Sequence, residues 1–240
     1  MPGITIKEIR EALAGPLPGL RGQALMAPGY RPLDQKSYEE GSKTCRRAAV
    51  LLLLYPLNDQ LYTVLTERQR TLSSHPGQVS LPGGSRDGGE TVTETAIREA
   101  YEEIGVNPET VEILGRLTHI YIRPSHFCIQ IVVGYAANPP QWRPNPDEVE
   151  CLLEVPLSRF FDPNLRRTEI IHRQERDWLV PYFAINDLQV WGATAMALGE
   201  FVTLLSENYP QACQPPFWHQ PIYEHPIAEF VSPHDLRGRE

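Results

Sequence analysis

The chain has 240 residues and a formal net charge of −8, with 22 Lys and Arg residues against 30 Asp and Glu residues. Its 41% hydrophobic and 22% charged content is typical of globular proteins and argues against a fibrous repeat or a disordered chain. An acidic protein of this kind is not expected to bind nucleic acid, because nucleic-acid binding usually requires a basic face. A small phosphate-bearing molecule stays compatible with the charge, since bound metal ions can hold phosphates in an acidic protein.

The cysteines and the N-terminus predict a cytoplasmic protein. No two cysteines have CxxC spacing, so we expect reduced, mostly buried thiols. The four are Cys45, Cys128, Cys151 and Cys213. The N-terminal residues carry charges and lack the long apolar run of a secretory signal. The longest apolar run, residues 48–55, is too short to cross a bilayer, so no membrane is expected as a partner.

Hydrophobic periodicity and turn residues predict the elements in chain order. A helix over residues 4–13 is followed by a Gly- and Pro-rich loop or wrapping arm to residue 45. Strands are expected over residues 48–55, 61–68, 78–81, 111–121 and 127–136, a hairpin over 168–183, and helices over 91–106 and 192–205. The mixture predicts an α+β (mixed α/β) class with three parts. These are an N-terminal helix and arm (1–45), a central domain (46–205) and a Pro-rich tail (206–240).

The helix over residues 91–106 carries the clearest chemical signal. Thr91 and Glu94 fit an N-terminal capping box, and Gly105 fits a C-terminal cap. Helical geometry brings Glu99, Glu102 and Glu103 within an arc of roughly 100° on one face. The opposite face is expected to be buried and consists of Ile97, Ala100, Tyr101 and Ile104. The simplest alternative is a solvated acidic helix face with no ligand.

Glycines next to this helix favour a metal site over a solvated face. Carboxylates beside a tight Gly turn are hard oxygen ligands suited to Mg²⁺ or Mn²⁺. Glycine permits close approach of the backbone, so the main-chain carbonyl at Gly83 is a further candidate ligand. The preceding loop, residues 69–91, is long and Gly-rich, which is typical of a functional loop.

The spacing of these residues resembles the complete Nudix box. Gly84 is followed after five residues by Glu90 and after seven more by the sequence REAYEEIGV, residues 98–106. The resemblance implies a mixed β-sheet between helices, with the box forming a loop–helix–loop. It also implies metal-dependent hydrolysis of a nucleoside diphosphate linked to another group, which is a small-molecule substrate.

The resemblance implies a role for each residue of the box. Glu99 and Glu103 match the main metal ligands, and Glu102 matches an additional ligand. Arg98 and Glu90 match the pair that orients the glutamates, although a simple ion pair that stabilises the helix would also explain them. Gly84 and Gly105 match the structural glycines.

The residues before the box resemble the signature of coenzyme A pyrophosphatases, approximately LLTxRSxxLRxHxGQVxFPGG. The matching residues are Arg68, Leu72, His75, Gly77, Gln78 and the sequence PGG at 82–84. Three residues depart from the signature: Gln69, Ser73 and Leu81. Ser73 replaces a basic residue, which removes a positive charge that could contact phosphate, and Arg70 is a candidate replacement.

Several of these residues keep two interpretations. Arg68, His75 and Gln78 are candidate substrate-binding residues, but His75 could equally organise the Gly-rich loop, and Arg68 could form a surface ion pair. Glu148 lies where Nudix enzymes often have a carboxylate outside the box. It is a candidate ligand or general base, or else a solvated loop residue. Glu99 could also be the base.

The sequence therefore predicts a hydrolase that converts coenzyme A or a derivative to 3′,5′-ADP and 4′-phosphopantetheine. One alternative is a Nudix pyrophosphatase for ADP-ribose, a dinucleotide or another nucleoside diphosphate derivative. The other is a Nudix module that senses a nucleotide without cleaving it, and the complete set of glutamates argues against that. Aromatic residues of the tail are expected to pack on the domain or on a second subunit, as in a homodimer.

Overall fold

The computed structural model describes residues 4–31, 33–72, 75–173 and 175–212. The helices in these ranges are α1 (Ile6–Ala14), α2 (Leu20–Ala24), α3 (Gln35–Ser42), α4 (Val92–Ile104) and α5 (Gly192–Asn208). The strands are β1 (Arg46–Leu57), β2 (Gln60–Arg68), β3 (Val79–Ser80), β4 (Gly83–Ser85), β5 (Val111–Arg116), β6 (Ile120–Ile122), β7 (Phe127–Ala136), β8 (Val149–Pro156), β9 (Arg166–Arg173), β10 (Arg176–Ile185) and β11 (Leu188–Trp191). Short 3₁₀ helices span Pro108–Thr110, Leu157–Phe161 and Pro163–Leu165.

Strand β1 is the centre of a mixed eight-stranded sheet. It pairs in parallel with β7, and antiparallel with β2 at its end and with β4 at its start. Strand β8 extends the sheet on the far side of β2, and β5 and β6 pair with β7. Strands β9, β10 and β11 form a separate antiparallel sheet. The antiparallel pairing of β4 with β1 matters most for function, because it fixes the start of the Nudix-like motif against the central strand.

Both faces of the large sheet are covered, which explains the continuous apolar run in β1. Leu52 and Leu54 belong to one core with residues of α1 and α5. Leu51 and Leu53 belong to a second core on the opposite face, with residues of α4. Successive side chains of a strand point to opposite faces, so one strand supplies both cores. The predicted α+β class and the mixed sheet between helices are therefore confirmed.

The N-terminal segment contains more regular structure than predicted. Helices α2 and α3 lie within residues 15–45, where we expected a loop or wrapping arm. Helix α2 packs on α5, where Gly22 approaches Glu200 closely. A five-residue helix has no detectable period in sequence, and it is formed here because α5 covers it. The Pro-rich tail lies mostly outside the described residues, from 213 onward.

The prediction of reduced thiols was wrong for Cys45 and Cys128. Cys45 and Cys128 form a disulfide with a Cα–Cα distance of 5.7 Å. The parallel pairing of β1 with β7 brings them together across 83 residues, so no local spacing signals the pair. Cys151 is a free thiol but is exposed rather than buried. Cys213 lies outside the described residues.

In the described part of the chain, no helix is long and apolar enough to cross a membrane.

Candidate active site

Helix α4 begins and ends as its sequence predicts. The Thr91 side chain accepts from the Glu94 backbone N–H, and the Glu94 carboxylate accepts from the Thr91 N–H. At the other end Gly105 has φ +75°, a left-handed conformation that glycine adopts without strain. These caps fix the length of the helix, and hence the positions of the carboxylates on its last two turns.

Strand β4 contacts the carboxylates through its two glycines. The Gly83 backbone N–H donates to Glu103 Oε2 at 3.2 Å. A Cβ on Gly84 would lie 2.5–2.6 Å from the carboxylate atoms of Glu99, so only glycine leaves room for that group. A Cβ on Gly83 would overlap the carbonyl oxygen of Ala49, because β4 lies directly against β1. The glycines therefore set the distance between the backbone of β4 and the glutamates.

The three glutamates of α4 differ strongly in burial. The side chain of Glu103 is 5% exposed, that of Glu99 is 16% exposed and that of Glu102 is 51% exposed. The alternative of a solvated acidic helix face therefore holds for Glu102 but not for Glu99 or Glu103. The opposite helix face is buried as predicted at Ala100 and Ile104, but the prediction was wrong for Tyr101, which is 58% exposed.

Arg98 is the hub of the carboxylate group. It donates to Glu90 at 2.7 Å, to Glu99 at 2.9 Å and to Glu102 at 3.0 Å. It also donates to the Ser85 carbonyl at the end of β4. Hydrogen bonds to Glu90 and, to a smaller extent, to Glu99 raise the pKa of Arg98. One guanidinium thus links the loop, the strand and two of the three glutamates.

Glu90 anchors this arginine from the loop before α4. Besides Arg98, it accepts hydrogen bonds from the Thr95 hydroxyl at 2.9 Å and the Asp87 backbone N–H at 3.1 Å. The hydrogen bonds from Arg98 lower the pKa of Glu90 to about 2. Glu90 is therefore a charged residue whose two carboxylate oxygens both already accept hydrogen bonds.

Glu103 and Glu99 have the opposite electrostatic environment. Burial, together with the charges of Glu148 and Glu99, raises the pKa of Glu103 to about 7. Burial also raises the pKa of Glu99, with Glu102 and Glu148 adding to the effect and the hydrogen bond and charge of Arg98 opposing it. The hydrogen bond from Gly83 and the charge of Arg68 only partly oppose these effects at Glu103. Buried carboxylates whose pKa values stay raised despite Arg98 and Arg68 favour a cation.

The oxygen-only donor set fits a hard divalent cation. No three His, Cys, Asp or Glu side chains in the described ranges are gathered closely enough to enclose an ion. The glutamates therefore form a surface bordering β4 rather than a closed cage.

Glu148 joins the group from outside the helix. The Asn145 backbone N–H donates to the Glu103 carbonyl at 2.8 Å, and the Asn145 side chain donates to Glu148 Oε1 at 3.3 Å. The Gln69 N–H donates to the Glu148 carbonyl at 2.9 Å, which ties this loop to the end of β2. Sequence reasoning missed Asn145, and its position before an Asp-Glu pair in a Pro-rich stretch carries no recognisable signal.

The three predicted substrate-binding residues lie together beside the glycines. Arg68 Nη1 lies 3.8 Å from Glu103 Oε1. His75 Nδ1 and Gln78 Oε1 are hydrogen-bonded at 2.8 Å, and the Gln78 carbonyl accepts from the Arg68 N–H. His75 has φ +55°, so this histidine sits in a tight turn as well as beside the site. Ser73, the departure from the signature, lies outside the described residues.

A cavity of about 510 Å³ opens on the other side of β4. Its wall includes Arg68, His75, Gln78, Gly83 and Gly84. It continues to the N-terminal segment, β9 and the start of α5, where Arg31, Arg173 and Thr194 line it. Among the described residues, the lining contains no Asp or Glu, although the chain is acidic. The cavity thus has a basic wall that meets the carboxylates at the two glycines.

Comparison with known proteins identifies the family. The family model of the NUDIX domain matches residues 46–179. An uncharacterized Nudix hydrolase of Pectobacterium atrosepticum, NudL, is 34% identical over 197 residues, 78% of this chain and 93% of the relative. The mouse peroxisomal coenzyme A diphosphatase NUDT7 is 36% identical over 140 residues, 58% of this chain and 59% of its own length. Among solved structures, a Nudix hydrolase from M. smegmatis, RenU, aligns with a TM-score of 0.42 and 28% identity, covering 48% of this chain and 72% of that one.

The family model covers more than half of the chain, and the match to NudL spans most of both proteins. The chain therefore belongs to the Nudix family and is a Nudix hydrolase.

Proposed function

We propose that this protein hydrolyses the diphosphate of coenzyme A or its derivatives to 3′,5′-ADP and 4′-phosphopantetheine. The observation that carries the proposal is the meeting of two surfaces at Gly83 and Gly84. Arg68, His75 and Gln78 line the cavity there, and the α4 carboxylates lie directly behind the glycines. A diphosphate needs both positive side chains and a cation, and this edge of the cavity brings Arg68 next to the carboxylates that are proposed to hold a cation.

The choice of coenzyme A rests on the residues before the box. Arg68, His75 and Gln78 belong to the pre-box signature and not to the general Nudix motif. The similarity to the mouse coenzyme A diphosphatase, which is partial, points the same way.

Glu99 and Glu103, with Glu102 and the Gly83 carbonyl, are proposed to hold Mg²⁺ or Mn²⁺. A bound divalent cation supplies Lewis acidity to a phosphoryl oxygen and lowers the pKa of the attacking water. Arg98 holds Glu99 and Glu102 in place, and Glu90 holds Arg98 in turn. Arg68 is proposed to bind the diphosphate oxygens, because its guanidinium reaches both the cavity and Glu103.

The bond changes require one proton acceptor. The water oxygen bonds to one phosphorus, the bridging P–O bond breaks, and the bridging oxygen leaves with the other phosphate. Glu148 is proposed to accept the water proton. Its Oε1 accepts from Asn145, which leaves Oε2 for a proton, whereas Glu99 is already held by Arg98.

Product analysis by mass spectrometry tests this function. The purified protein is incubated separately with coenzyme A, ADP-ribose and NADH, with Mg²⁺ or Mn²⁺ and with a chelator. The proposal requires metal-dependent 3′,5′-ADP from coenzyme A, faster than cleavage of the other two. Faster cleavage of ADP-ribose or NADH would discard the coenzyme A assignment and keep the hydrolase. No cleavage at all would favour a nucleotide sensor.

A further inference from the structure

The cavity has a second group of positive side chains outside the Nudix box and the pre-box signature. Arg31 comes from the N-terminal segment and Arg173 from the end of β9, and both line the same cavity as Arg68. In the described part of the chain no Asp or Glu oxygen lies within 4.0 Å of either guanidinium. Two arginines that line one cavity without a counter-charge are unfavourable, and they therefore indicate an anionic ligand.

Hydrogen bonds of the surrounding backbone fix the position of Arg31. The Gly29 N–H donates to the Leu179 carbonyl at 2.8 Å, and this bond attaches the N-terminal segment to β10. The Arg31 N–H donates to the Pro28 carbonyl at 2.8 Å and closes a turn. Its half-buried guanidinium donates to the sulfur of Met196 at 3.0 Å, a weak acceptor. The fold thus directs Arg31 into the cavity and leaves most of its donors for another partner.

Arg173 is held beside it by an aromatic ring. Its guanidinium carbon lies 4.9 Å from the centre of the Tyr30 ring, and Trp178 packs edge-on against the same ring. A cation over an aromatic face keeps its charge and its hydrogen-bond donors. Burial lowers the pKa of Arg31, and the nearby charge of Arg173 lowers it further. The two charges are therefore close enough to repel each other.

We propose that Arg31 and Arg173 form a second anion site in this cavity, which binds a phosphate monoester on the substrate separate from the diphosphate that is cleaved. A phosphate monoester offers up to two charges and three acceptor oxygens, which match two arginine forks. The proposal rests on the proposed function, in which the substrate has such a group on its adenosine ribose. It explains why the cavity continues past the diphosphate-binding residues and stays basic.

The first test compares coenzyme A with dephospho-coenzyme A, which lacks only the ribose 3′-phosphate. We expect a kcat/KM ratio of at least about tenfold in favour of coenzyme A, because hydrogen bonds between charged groups have this size. Arg173→Gln and Arg31→Gln should each reduce that ratio about tenfold. Arg167→Gln, on the same strand but outside the cavity lining, is the matched control and should leave the ratio unchanged.

Equal rates on the two substrates, or an unchanged ratio in Arg173→Gln, would overturn the proposal. Arg31 is half-buried, so its variant is compared only if its melting temperature stays near that of the parent. Arg173 is exposed, and its variant decides the question on its own if Arg31→Gln does not fold.

A binding measurement separates this site from the proposed function. Isothermal titration calorimetry with 3′,5′-ADP and with 5′-AMP should give a Kd ratio of about tenfold, lost in Arg173→Gln. That result without coenzyme A cleavage would keep the anion site and reject the proposed function. Coenzyme A cleavage with equal Kd values would reject the site and keep the function. NADPH and NADH serve as the second pair, since faster cleavage of NADPH than of coenzyme A would assign the site to a ribose 2′-phosphate.

Discussion

The two sides of strand β4 have opposite electrostatic character. Behind it, Glu99 and Glu103 are carboxylates with raised pKa values, and Arg98 is the counter-charge of Glu99. In front of it, the cavity lining includes Arg31, Arg68 and Arg173 and, within the part of the chain that the structure describes, no carboxylate. The two sides meet at Gly83 and Gly84, where there is no side chain to separate them. A diphosphate matches both sides at once, because it is an anion that can pair with the arginines and can also bind a cation held by the carboxylates.

The largest expected effect is on the carboxylate side. Glu103→Gln should lower kcat about a thousandfold, because a metal ligand contributes several kcal/mol to the transition state. The glutamine oxygen can still accept from the Gly83 N–H, and a buried carboxylate with a raised pKa is removed. The melting temperature should therefore not fall. Steady-state kinetics and thermal unfolding check both points, with Glu109→Gln as the exposed control, and an unchanged rate would reject Glu103 as a ligand.

Gly84→Ala tests the place where the two sides of β4 meet. The new Cβ would lie 2.5–2.6 Å from the Glu99 carboxylate, which must move. A shift of about 1 Å in a catalytic group can reduce the rate about a hundredfold. The displaced atoms are the end of a flexible side chain, so the melting temperature should change little.

Gly88→Ala is the matched control for that substitution, because its Cβ meets no atom within 4 Å. Gly84→Ala with full activity would show that Glu99 does not need its present position.

On the cavity side, Arg68→Gln should lower kcat/KM about 30-fold through loss of a hydrogen bond between charged groups. The control is Arg10→Gln, since Arg10 is 45% exposed, pairs with Glu112 and does not line the cavity. Equal losses in the two variants would instead indicate a general effect of positive charge.

The smallest effect is expected for Glu90→Gln, which acts on the glutamates only through Arg98. The rate should fall about tenfold, as is usual for residues that orient a metal ligand. Glu90 has a folded-state pKa of about 2, below its ordinary value of 4.5. Its contribution to stability is therefore present above about pH 4.5 and lost as the pH falls toward 2.

Thermal unfolding checks the sign of that effect. The melting temperatures of parent and Glu90→Gln should differ at pH 7 and converge toward pH 2. Asp87→Asn, at 3.8 Å from Arg98 and 75% exposed, is the control. A difference that grows as the pH falls would contradict the ion-pair role of Glu90.

The local parts of the site were predictable from sequence. The caps of α4, the hydrogen bonds of Arg98 with Glu90, and the close approach of Gly84 to Glu99 depend on residues within about 20 positions of each other. Tyr101 was wrongly predicted to be buried, because helical periodicity gives the angle of a side chain but not the width of the surface that covers it.

The long-range parts were not predictable from this chain alone. Strand β8 follows a Pro-rich stretch, and its pairing with β2 depends on the whole sheet. The bond between Cys45 and Cys128 depends on the parallel pairing of β1 with β7. Arg31 and Arg173 line the same cavity because the N-terminal segment is hydrogen-bonded to β10.

The central claim is that a bound diphosphate lies across Gly83 and Gly84, in contact with both sides of β4. The most direct measurement is a crystal structure of Glu103→Gln with coenzyme A and Mn²⁺, with Mn²⁺ identified by its anomalous scattering. We expect Mn²⁺ beside Glu99, and the diphosphate between Mn²⁺ and Arg68. A diphosphate bound away from the two glycines, or Mn²⁺ bound away from α4, would contradict the account.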